Sequence, residues 1–140
     1  METPFALRVV EIDSILRLSI PIAFQREKPN DENDLNDKIQ ALLCTSENRF
    51  SREYPIIEFG LTAYRADHAE GSLLIESKYI REKTTPNVAA KEIAVDIVEI
   101  PDRYGVMFVV YDPYRSIPDD EKYIKAFEEK RKNCFVKVYR

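Results

Sequence analysis

Residues 64–80 read YRADHAEGSLLIESKYI, and the fold turns on how this stretch is read. Ser72 to Ile80 has the apolar content of a covered β-strand, yet Glu76 and Lys78 sit inside it. Charged side chains are almost never fully buried without partners. Leu61 to Asp67 reads as the preceding strand, with His68 to Gly71 as the turn. Side chains alternate along a strand, so Glu76 and Lys78 share one face and Ser77 takes the other. With Ala69 to Ser72 as a four-residue loop, His68 pairs with Leu73 and Asp67 faces Leu74. Asp67 then lies on the face of Glu76 and Lys78, whereas a one-residue change in the loop turns it away.

Diagonal neighbours in a ladder stand about 7–8 Å apart at the backbone, close enough for two carboxylates to share an ion. Two carboxylates on one face repel unless a cation lies between them. Hard oxygen donors suit magnesium or manganese. Such an ion stabilises charge on a phosphoryl oxygen and lowers the pKa of water, and Lys78 beside it can orient that water or hold the phosphate. The competing reading is a solvated sheet face with a salt bridge. Leu73, Leu74 and Ile75 before the pair, with Tyr79 and Ile80 after it, argue for a covered strand instead.

Outward from the hairpin, the periodicity orders the rest of the chain. Phe5, Val9, Ile12 and Leu16 recur at helical spacing over residues 4–18, with Pro4 at the start and Pro21 ending the helix. A second helix is expected from Asp31 to Cys44, capped by Asp31 and carrying Glu32 and Asp34 in its positive first turn. Phe50 to Glu58 alternates as a strand, where Pro55 signals an edge or a bulge, and Gly60 separates it from Leu61. Residues 81–86 form a polar loop, 87–99 a helix, and Gly105 to Tyr111 a strand apolar enough to be buried on both faces. Asp112 is expected as a turn former before Pro113, Asp119 to Lys132 as a helix and Cys134 to Tyr139 as the last strand. The order ααβββαβαβ implies an α/β domain with helices on both faces of its sheet.

A chain of 140 residues with net charge −4 is one domain by default, and its acidic balance argues against a general affinity for nucleic acid without excluding local basic clusters. Cys44 and Cys134 have neither metal nor redox spacing, so both are expected as reduced thiols in a cytoplasmic protein. No apolar run approaches the ~20 residues of a membrane span, and residues 1–8 lack the pattern of a signal peptide.

With these elements in order, most of the chain resembles the PD-(D/E)XK nuclease superfamily, in the style of restriction-enzyme domains of prokaryotic defence loci. NDENDLNDKIQALL is similar to its first core helix, YRADHAEGSLLIESKYI to its D…ExK hairpin, VAAKEIAVDI to the following helix and GVMFVVYDPYR to the next strand. Ala66 stands where the nominal motif has proline. The resemblance implies a three-layer α/β/α restriction-endonuclease-like domain around a mixed sheet, with residues 31–140 as core and 1–24 as a helical extension. It implies Asp67, Glu76 and Lys78 as catalytic residues. Asp67, Glu76, the Ser77 backbone carbonyl and the auxiliary acid Glu32 would bind Mg2+ or Mn2+. It further implies hydrolysis of DNA to 5′-phosphate ends, by a homodimer or with a defence-complex partner.

Other residues have bland readings beside sharper ones. Glu32 suits a helix N-terminus by charge alone, and Asp34 could fill its place after a small shift. Lys91 and Glu92 either face the site or form a solvated helix face. His68, the only histidine, is expected to be an exposed turn residue that could touch substrate. Tyr79 and Tyr114 could stack on bases or pack as core and rim. EEKRKNCFVKVYR and KYIREK are basic enough to follow a phosphate backbone, although most such runs are merely solvated. The functional alternative is a non-catalytic binding or scaffold module that keeps the nuclease fold within a larger complex.

Overall fold

In the computed structural model, which describes residues 4–44, 50–58, 61–81 and 85–140, the chain forms nine elements. They are α1 (Pro4–Ala23), α2 (Glu32–Leu43), β1 (Ser51–Glu58), β2 (Leu61–Glu70), β3 (Leu73–Tyr79), α3 (Pro86–Glu99), β4 (Gly105–Tyr111), α4 (Asp120–Glu128) and β5 (Cys134–Tyr139). The expected break at Gly60 and residues 82–84 of the expected polar loop lie outside the described residues.

The strands make one mixed sheet in the order β1-β2-β3-β4-β5. β1–β2 and β2–β3 are antiparallel, while β3–β4 and β4–β5 are parallel. Parallel neighbours need a crossover, and α3 and α4 supply the two. Every residue of β3 and β4 is buried, because helices cover both faces. On one face Val9, Ile12, Leu16 and Ile20 of α1 and Leu35, Ile39 and Leu43 of α2 pack on Leu73, Ile75, Met107 and Val109. On the other face Ala89, Ile93 and Ile97 of α3 and Phe127 of α4 pack on Leu74, Val106, Phe108 and Val110. Full burial of one such aliphatic side chain is worth about 1.5–3 kcal/mol, so the α/β/α layering follows from the two apolar faces. Among the described residues, no helix is long and apolar enough to cross a membrane.

Three boundaries differ from the sequence expectation. α1 runs through Pro21 to Ala23, since Ile20 and Phe24 are buried and outweigh the lost proline hydrogen bond. β2 continues through His68 to Glu70, leaving Gly71 and Ser72 as a two-residue loop. Gly71 takes the positive φ of +58° favoured in tight hairpins. His68 consequently pairs with Ile75, not Leu73. The register has moved by two residues, which preserves the face of every side chain. α4 ends at Glu128, because Arg131 leaves the helix to donate to the carbonyls of Ile97, Ile100, Pro101 and Tyr104. At the edge, β1 has a register shift between Ile56 and Ile57, next to the proline that suggested it.

Gly105 opens β4 where α1 begins. A Cβ there would stand 2.7 Å from the Phe5 ring, so glycine permits the first turn of α1 to close over the sheet. Both cysteines are free, Cys44 exposed and Cys134 buried.

Candidate active site

The antiparallel register continues from the His68–Ile75 pair to set Asp67 across from Glu76. The two residues hold each other's strands. Asp67 N–H donates to Glu76 Oε1 at 3.0 Å, and Ser77 N–H donates to Asp67 Oδ2 at 2.9 Å. Beyond His68 no further β2–β3 residue pairs form, and these carboxylates take over where the ladder stops. Glu76 and Lys78 are buried with only 5% and 7% exposure, between β2 on one side and Phe108 and Val110 of β4 on the other.

Acidic groups outnumber the one buried lysine in this small region. Burial, followed by repulsion from Asp67, pushes the Glu76 carboxyl up to about 9 against hydrogen bonds from Tyr64 and the Asp67 main chain. Burial likewise raises Glu32, although Lys78 partly offsets it and Asp67 adds to it. Burial pulls the Lys78 ammonium down, but Asp96, Glu32, Glu92 and Glu76 outweigh that and hold it above the usual lysine range. Lys78 is therefore a permanent cation at neutral pH.

The remaining expected residues separate into those at this region and those away from it. Glu32, first residue of α2, turns its carboxylate to the Tyr79 N–H at 3.4 Å and feels both Lys78 and Asp67. Asp34 accepts from the Asn30 N–H at 2.9 Å and receives the Asp31 cap through its own N–H, so it belongs to the helix end. Glu92 is not merely a solvated face residue: its Oε2 stands 3.3 Å from Lys78 Nζ. Lys91 is exposed.

His68 corrects the expectation of an exposed turn residue. It is fully buried, because it alternates with Asp67 and so points at α2. Its Nδ1 lies 2.7 Å from Gln40 Oε1 and its Nε2 meets the Asn36 carboxamide at 3.2 Å. Burial, then Arg52, lowers it to about 4, which keeps the ring neutral. Substrate contact is not open to it.

Two neighbours of the site were not anticipated. Asp96 lies 3.2 Å from Lys78 Nζ, one helical turn beyond Glu92, and that i,i+4 spacing was a signal available in the sequence. Tyr64 lies close enough to Glu76 for each to influence the other's titration, and nothing in its sequence surroundings marks it. Tyr79 is core, stacked on Tyr111 at 5.6 Å with its hydroxyl on the Pro29 carbonyl, whereas Tyr114 is exposed. Asp112 is a turn former as expected, accepting from the Ser116 and Ile117 N–H groups. Three arginines of the basic runs are committed within the fold. Arg140 pairs with Asp112 and Asp120, Arg131 holds main-chain carbonyls, and Arg81 reaches the Asn30 carbonyl.

Among the described residues, no three His, Cys, Asp or Glu side chains are gathered closely enough to hold a metal ion between them. Glu32 thus neighbours the Asp67–Glu76 pair without completing a cage. The pair itself fits a hard divalent cation. It offers oxygen donors only, its Glu76 carboxyl is strained by burial and by Asp67, and an added positive charge would relieve both.

A family model described as REase_DpnII-MboI matches residues 26–140. No curated protein and no solved structure matches the chain.

Proposed function

The chain belongs to the DpnII-MboI restriction endonuclease family, and from that premise we propose that it is a metal-dependent nuclease hydrolysing phosphodiester bonds in DNA. The observation that supports this most is the Asp67–Glu76 pair, its carboxylates crossed onto each other's strands with the Lys78 ammonium buried on the same face. This arrangement supports reading the segment as a D…ExK hairpin.

In this reading Asp67, Glu76 and the Ser77 main-chain carbonyl would hold Mg2+ or Mn2+, with Glu32 as the auxiliary acid. When bound, the ion supplies charge neutralisation at the scissile phosphate and lowers the pKa of water. Lys78 orients the attacking water and donates to a phosphate oxygen. Its raised pKa makes it a donor rather than a general base. A duplex requires two cuts, so a second copy or a partner within a defence complex would complete the reaction.

Metal binding tests the reading apart from any substrate. Magnesium or manganese raises the melting temperature of wild type and leaves Asp67→Asn unshifted. Equal shifts in the two proteins would favour a non-catalytic module that keeps the nuclease fold.

A further inference from the structure

Lys78 poses a geometric problem. On its own face of the hairpin its neighbours are Glu76, two residues back along β3, and Asp67, diagonally across on β2, and an ammonium beside two carboxylates is drawn onto them. There it would occupy the space where a divalent ion is to bind. Among the described residues, however, the ion pairs of Lys78 go elsewhere, to Glu92 and Asp96 of α3 at 3.3 and 3.2 Å. These acids lie one turn apart on the helix face that flanks Ile93 and Ile97, whose side chains anchor α3 to the sheet. The berth is therefore as fixed as the core beneath it.

The two acids are not equivalent. The Glu92 side chain is 51% exposed and that of Asp96 only 15%. Exposed ion pairs contribute little because water screens them, so the hold on the ammonium lies mainly with Asp96. We propose that Asp96 is the positioning residue for Lys78, drawing its ammonium off Asp67 and Glu76 and fixing it beside them, with Glu92 as the outer partner. The catalytic half of this inference rests on the nuclease reading; the positional half does not.

Asp96→Asn keeps shape and removes charge, and Asp96→Glu restores charge. In metal-free protein carrying nitrogen-labelled lysine, the Lys78 ammonium gives a protected NMR signal, assigned by its loss in Lys78→Ala. That signal disappears or moves to the exposed-lysine position in Asp96→Asn, shifts less in Glu92→Gln, and returns in Asp96→Glu. On a DNA substrate, Asp96→Asn lowers kcat by about 10–100-fold while KM stays within about twofold, the loss expected from a misplaced group rather than a lost binding contact. Melting temperatures identify any variant that fails to fold, and Glu92→Gln with its smaller shift then carries the comparison. An unchanged ammonium signal in folded Asp96→Asn overturns the proposal whether or not wild type cleaves. Wild type that cleaves no nucleic acid overturns the nuclease reading and the catalytic half with it.

Discussion

Among the described residues, Glu76 carries the clearest pH signature. In metal-free protein its carboxyl, raised by burial and by Asp67 to about 9, keeps its proton where the unfolded chain has lost it. The folded state then binds the additional proton, so stability falls as pH rises toward that value. His68, lowered to about 4, is neutral in both states above its ordinary range and adds no slope there. Chelated wild type is expected to lose up to about 1 kcal/mol per pH unit between roughly pH 7 and 9. Denaturant titrations should show that slope, and Glu76→Gln should flatten it. His68 makes a separate prediction. Replacing it with alanine leaves Gln40 and Asn36 facing a cavity and costs about 2–4 kcal/mol, read from the shift in denaturation midpoint. At this scale the charged triad was legible because charge inside an apolar strand is rare. His68 was not, since its neighbour Gly71 made the segment look like a turn.

Elements were legible where period and cap agreed. Asp31 caps α2 through Asp34 N–H at 2.7 Å, and removing that cap with Asp31→Ala should cost about 1 kcal/mol in thermal unfolding. The same substitution loosens the turn that presents Glu32 to Tyr79, so apparent metal affinity should weaken in parallel. The hairpin shows why a wrong register still located the site. An error of two residues moved every partner but no face, so Asp67, Glu76 and Lys78 stayed together. Ends set by tertiary contact were illegible. Nothing local in the sequence says that Arg131 will leave α4 for the carbonyls at the end of α3. Arg131→Ala should lower stability by about 1–3 kcal/mol, measured by chemical denaturation, while sparing metal binding, because α3 is anchored near the site by Ile93 and Ile97.

For the whole molecule, the α/β/α layering could be inferred from element order, but the place of α1 could not. Residues 1–24 read as an extension, and the family match begins only at residue 26. Yet Val9, Ile12, Leu16 and Ile20 share a core cluster with β3 and β4, and Arg8 pairs with Glu70 of β2 at 2.6 Å. We propose that α1 folds as part of the core. Deletion of residues 1–24 should then abolish cooperative unfolding, whereas a free-standing extension would leave the transition intact. The central claim concerns chemistry, and cleavage of DNA tests it most directly. Purified wild type, Asp67→Asn and Lys78→Ala are incubated with linear and circular DNA, with and without manganese. The account predicts metal-dependent cutting by wild type alone, with Lys78→Ala still binding the ion because an ammonium is not a ligand. Cleavage by Lys78→Ala at the wild-type rate, or cutting by wild type that persists after chelation, would contradict it.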